Sequence, residues 1–143
     1  MAMGPLRVLS NHLAMVVAAL LAAGCASHPV QTFTGPPRPA SEIALVSCQP
    51  GLAVVAVDDD RSVHGVSSEA RPLVLELLPG RHTVTVRFHS VSGTDQVLMS
   101  TFTTTESESI DLEIHAQAGH AYRLVFSTYG DRWRPSLRDV TPD

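Results

Sequence analysis

The sequence predicts an all-β fold, a single antiparallel β-sandwich of seven or eight short strands over about 100 residues. Three observations predict it. Apolar residues recur at every second position, as in Val84, Val86 and Phe88 set against Thr83, Thr85 and Arg87. Compact turn signals separate the runs, among them Asp58-Asp59-Asp60, Leu78-Pro79-Gly80 and Ala116-Gln117-Ala118-Gly119. After residue 41 no stretch carries apolar residues at helical spacing.

The chain opens on Met1 to His12, with one basic side chain, Arg7, and no acid. Leu13 to Ala23 follows, apolar throughout and rich in Leu and Ala, so helix is expected here alone. It is far shorter than the ~20 apolar residues a spanning helix needs and has the length of a signal-peptide core. The run ends in Ala23-Gly24-Cys25. That ending resembles the signal peptides of bacterial lipoproteins. Ala22 stands where the family usually has Leu, and Leu21 comes one place early. The resemblance implies that residues 1–24 are removed, that Cys25 carries a diacylglyceryl lipid on its thiol and a further palmitate-type acyl chain on its amino group, and that this anchor holds the protein on a membrane. The absence of Asp after Cys25 implies, by the family's sorting habit, the periplasmic face of the outer membrane rather than the inner membrane. The alternative is an ordinary secretory signal with Cys25 incidental.

All ten basic residues are Arg. Loss of Arg7 leaves nine against fourteen acids, a net charge near −5. An acidic domain is poorly suited to nucleic acid, whose binding rests on neutralising phosphates. There are two cysteines, Cys25 and Cys48. An exported pair invites a disulfide, but a lipidated Cys25 leaves Cys48 alone. Within Ile43-Ala-Leu-Val-Ser-Cys48, Cys48 reads as a small buried hydrophobe.

Residues 25–41 form the lipidated cysteine and a Pro-rich tether. Four prolines and a glycine between Ala26 and Ser41 argue for an extended spacer, with a docking ligand as the other use of such a stretch. Residues 42–141 form the sandwich domain. Val54 to Val57 is apolar at every position, as a strand buried on both faces would be. Leu73, Leu75 and Leu77 share one face of the next strand. Pro79-Gly80 suits the centre of a type II turn, Pro presetting φ and Gly supplying a positive one. Val84 to Phe88 is a strand, Val91 to Gln96 a loop, and Val97 to Thr105 a β-branched strand. Ile110, Leu112 and Ile114 alternate with Asp111, Glu113 and His115, and Tyr122, Leu124 and Phe126 alternate with Arg123 and Val125. Pro135 in the last strand argues for an edge position.

Two pieces, Val55-Ala-Val57-Asp58 and Leu77-Leu-Pro-Gly80-Arg-His82-Thr-Val84-Thr-Val86, resemble PEGA-type and carboxypeptidase-regulatory-like modules of bacterial envelope proteins. In that family the second piece is a hairpin. The naming Pro-Glu-Gly-Ala is absent here. The resemblance implies a small sandwich that binds or spaces and does not catalyse.

No His-x-His, His-x-x-x-His or Cys-x-x-Cys pair stands in the chain, so no metal site and no cofactor are expected. His89 and His115 are the pair that could meet across a sheet. Asp58-Asp59-Asp60 lacks calcium-loop spacing and reads as a solvated turn. Gly-x-Ser-x-Gly is missing, and Ser-x-x-Lys is excluded by the absence of Lys. The unusual cluster is Arg132-Trp133-Arg134 with Arg138, candidate binding residues for an anionic surface or partner. Its structural alternative is a closing edge strand, Trp133 on the core and the arginines in water. The expected function is therefore a non-enzymatic envelope lipoprotein, a binding or assembly module. Its expected partners are the membrane and an envelope protein, lipopolysaccharide or peptidoglycan. The alternative is a small envelope hydrolase with a site assembled from residues distant in sequence.

Overall fold

The computed structural model describes residues 29–94, 101–130 and 132–143. The expected signal helix and the anchor Cys25 lie outside those residues. Among the described residues the chain is all-β, with one 3-10 turn at Ala40–Glu42. Ten strands run in order: β1 Val30–Gln31, β2 Ala44–Cys48, β3 Leu52–Val57, β4 Gly65–Val66, β5 Val74–Leu77, β6 Gly80–Thr94, β7 Thr101–Glu106, β8 Ile110–Ala116, β9 Ala121–Tyr129 and β10 Arg132–Asp139. Eight have four residues or more; β1 and β4 have two each.

They form two sheets. The first has the order β1-β5-β2-β9-β10; the second has β4-β3-β6-β7, with β8 also paired to β6. The inward rows are the apolar alternations of the sequence. Val46, Leu75, Leu77 and Leu124 of the first sheet meet Leu52, Val84, Val86 and Ile114 of the second, all buried in one cluster. Each such side chain contributes roughly 1.5–3 kcal/mol by leaving water.

Four expectations need correction. The first sheet is not purely antiparallel: β1 pairs β5, and β2 pairs β9, in parallel. Hairpins force antiparallel neighbours, but these pairs are joined by long connections, which impose no such direction. Second, Leu78-Pro79-Gly80 is not the tip of a hairpin. Strand β5 belongs to the first sheet and β6 to the second, so the turn is a corner between sheets. Gly80 has the positive φ expected of it, +131°. Third, the loop expected over Val91 to Gln96 is strand as far as Thr94, because β6 runs on to pair with β7. Fourth, part of the Pro-rich stretch is docked. Val30 pairs with Leu75, Thr32 donates from both N–H and hydroxyl to the Glu76 carbonyl, and Arg38 stacks over Phe33 and pairs with Glu42.

Strand β10 is an edge strand, as Pro135 predicts. The Val140 N–H donates to the Ala121 carbonyl at 2.8 Å, and the register continues that parity along the ladder. Even-numbered residues of β10 therefore bond to β9, while odd-numbered ones turn their amides to the free edge. Pro135 is odd-numbered, so its missing N–H costs the ladder nothing.

Candidate site: a basic hairpin face and its groove

The β9–β10 hairpin sorts side chains by the same parity. Trp133, Pro135 and Leu137 turn inward; Trp133 and Leu137 pack against the core. The outward pairs across the hairpin are Arg132 with Tyr129, Arg134 with Ser127, Ser136 with Val125, and Arg138 with Arg123. Four guanidiniums thus share one face. None of the four forms an ion pair among the described residues; neither do the scattered loop residues Arg61 and Arg71, whereas Arg38, Arg81 and Arg87 each do. The one acid on the outward rows of this sheet's strands is Glu76, on β5.

At the start of β10 the face breaks into a groove of about 660 Å³. Its lining includes Tyr129, Arg132, Trp133 and Arg134 from the hairpin, Glu108 from the connection between β7 and β8, and Ile110 at the start of β8. The groove lies where the edge strands β8 and β10 of the two sheets come side by side. Tyr129 is 90% exposed. Glu108 makes no ion pair with either lining guanidinium.

The structure thus brings Arg132, Trp133 and Arg134 together at one site. Arg138 shares their face but sits at its far end, opposite Arg123, outside the groove. Tyr129, Glu108 and Arg123 were not singled out from the sequence. Tyr129 and Arg123 follow from hairpin register, once Tyr129-Gly130-Asp131 is taken as a turn; Glu108 comes from the connection between β7 and β8 and leaves no local signal.

The remaining polar clusters are pins within the fold. Asp58 and Asp59 both have positive φ, 50° and 65°, the type I′ pattern of a two-residue hairpin loop. Asp58 holds that turn to β6, accepting from the Thr83 N–H at 2.8 Å and meeting His82 Nδ1 at 2.6 Å. The other ring nitrogen of His82 lies 2.7 Å from the Leu78 carbonyl, so both nitrogens are occupied and the corner is tied down. Partial burial pushes the Asp58 carboxyl up, but the hydrogen bonds from His82 and Thr83 and the His82 charge bring it below the usual carboxylate range. At the same end of the sandwich, hydrogen bonds from the Thr141 hydroxyl and N–H, and then from His120, hold the Asp139 carboxyl down to about 2. This cluster clips the chain end after β10 to the start of β9.

Cys48 is a free, buried thiol whose pKa burial pushes up to about 12. A thiol so placed stays protonated and is no nucleophile. His89 and His115 do not meet: His89 faces Glu106 on β7, and His115 faces Arg81 on β6. Among the described residues no three His, Cys, Asp or Glu side chains converge as metal ligands, and no helix is long and apolar enough to cross a membrane. Comparison with protein-family models, with curated proteins and with solved structures gives no match.

Proposed function

We propose that the protein is a bacterial envelope lipoprotein, anchored through Cys25, that works as a non-enzymatic binding module through the β9–β10 face. The observation that carries the binding role is the contrast in pairing: guanidiniums cluster with an exposed tyrosine on an otherwise acidic chain, and no described carboxylate neutralises them. Unpaired Arg and exposed Tyr beside a concave surface are the usual anchors of recognition. The anchor rests on the apolar run ending in Ala23-Gly24-Cys25. Two or three acyl chains, at ~0.8 kcal/mol per buried CH₂, suffice for stable attachment. The two sequence pieces that resemble PEGA-type modules imply the same role, although the hairpin they imply is here a corner between sheets.

The docked segment sharpens the geometry of attachment. Cys25 lies five residues before Val30, and five extended residues span at most about 18 Å. A lipid on Cys25 therefore keeps the β1 edge within about 2 nm of the bilayer. Strand β10 is the opposite edge of the same sheet.

The test of the anchor is Cys25→Ser. The variant is expected to lose acyl label and to leave the membrane fraction, or to accumulate as uncleaved precursor. Processed Cys25→Ser protein that fractionates with membranes like the wild type would end the lipoprotein reading.

A further inference from the structure

We propose that the groove at the start of β10 takes an acidic saccharide, a ligand that carries anionic groups and sugar hydroxyls together. The inference deepens the binding role above and depends on the lipoprotein reading only for where the ligand is met.

Four features of the groove select that chemistry. Arg132 and Arg134 alternate along β10 and both turn outward, so their planar forks reach one anionic group or two neighbouring ones. Between them Trp133 is odd-numbered, and the ladder turns its N–H to the free edge, adding a neutral donor. Tyr129 stands opposite Arg132 with its ring almost wholly in water. A ring left so exposed beside a groove is a platform for the apolar C–H face of a sugar, with its hydroxyl free to bond. Glu108 and Ser127 complete the lining. Glu108 repels a bare anion, but it is the right acceptor for sugar hydroxyls, and Ser127 can donate or accept.

The competing occupant is an anionic bilayer, which a flat array of arginines would also attract. Two features weigh against it. The site is concave, and it includes a carboxylate. Another groove, between β3, β4 and β6, offers less: Glu106 already holds its Arg87 and His89, at 2.7 and 3.4 Å, which leaves Arg61 as its one guanidinium without an ion pair among the described residues, and no tyrosine or tryptophan lines it.

Trp133 is the sole tryptophan, so its fluorescence reports on this groove alone. The experiment titrates full-length protein in nonionic micelles with a short oligogalacturonate. Parallel arms use a neutral galacto-oligosaccharide, inorganic phosphate, and mixed micelles containing phosphatidylglycerol. A saturable response to the acidic sugar is expected, with the neutral sugar and phosphate at least about tenfold weaker. Tyr129→Ala and Arg134→Gln, both at exposed positions, should each weaken binding about tenfold or more. Glu108→Gln should weaken the sugar and strengthen phosphate. Arg87→Gln, on the other sheet, should change nothing. The proposal is overturned if the acidic sugar gives no saturable response, if Tyr129→Ala and Glu108→Gln bind it as wild type does, or if phosphatidylglycerol alone reproduces its effect. None of these outcomes depends on Cys25, so the anchor stands or falls separately by fractionation.

Discussion

The two sheets turn opposite electrostatic faces to solvent. On the second sheet every outward arginine of β6 is held by a carboxylate, Arg81 by Glu113 at 3.4 Å and Arg87 by Glu106 at 2.7 Å. Asp111 accepts from the Thr85 hydroxyl on the same surface. On the first sheet Arg123, Arg132, Arg134 and Arg138 stand without such partners, and Arg123 directly faces Arg138. The difference is not one of stability. Exposed pairs contribute only about 0–1 kcal/mol, and directly opposed like charges cost a similar fraction. What pairing changes is availability. A guanidinium already bonded to a carboxylate gives up that bond before it meets a ligand, whereas an unpaired one gives up only water. The first sheet accepts a small repulsion and keeps its charges free; the second spends its charges on itself.

That contrast predicts its own largest effect. Replacing Arg132 and Arg134 together by Gln should lower affinity for an acidic saccharide at least about a hundredfold, since two charge-assisted contacts of ~1.5–3 kcal/mol each are lost. The matching pair Arg81→Gln with Arg87→Gln should leave that affinity unchanged. Equal losses from both double variants, read by Trp133 fluorescence, would mean that the net field of the domain matters and the local face does not.

The next effect concerns the corner that joins the faces. Gly80 carries the chain from one sheet to the other with φ at +131°, and a Cβ there would meet no neighbour within 4 Å. The obstacle to substitution is thus the backbone and not space. Gly80→Val should destabilise by roughly 1–3 kcal/mol, from forcing a β-branched residue into a region L side chains avoid. Both faces should lose their definition together, because His82 and Asp58 are pinned around the same corner. An unchanged melting temperature would show that the corner tolerates a different backbone path.

How much of this was legible in the sequence follows from which interactions are local. Alternation is local, so the inward rows Val84 to Phe88, Ile110 to Ile114 and Tyr122 to Phe126 came out on the expected faces. Pro135 announced an edge because it removes one donor, and the ladder shows that donor pointing away from β9. The burial of Cys48 came from its apolar run. Strand order was not legible, since β2 beside β9 unites segments more than seventy residues apart. The corner at Pro79-Gly80 was read as a type II turn; the chain bends there with a positive φ at Gly80, but as a crossing to another sheet without the turn's Leu78–Arg81 hydrogen bond, because Pro-Gly chemistry does not say where the next strand goes. The docking of Val30 and Gln31 was hidden by prolines around them, because a two-residue strand leaves no periodicity. At the site, Arg132, Trp133 and Arg134 were visible as a cluster, while Tyr129 needed the hairpin register and Glu108 the packing of two sheets.

The smallest predicted effect separates the face from the groove. Arg138 lies directly across from Arg123 and lines no cavity. Arg138→Glu replaces a repulsion with an attraction between directly opposed residues, while the inward side chains of β10 keep their places. The gain should be about 0.5 kcal/mol at low salt, the usual size for exposed cross-strand pairs. It should fade at high salt, because both side chains are solvated and the Debye length shrinks to about 3 Å at 1 M. Binding in the groove should change little, since Arg132 and Arg134 are untouched. A variant that is stabilised and still binds assigns recognition to the groove and leaves Arg123 and Arg138 as uncompensated neighbours. A variant that is stabilised but loses binding several-fold would instead make the four arginines one continuous surface, with a ligand long enough to run the length of β10.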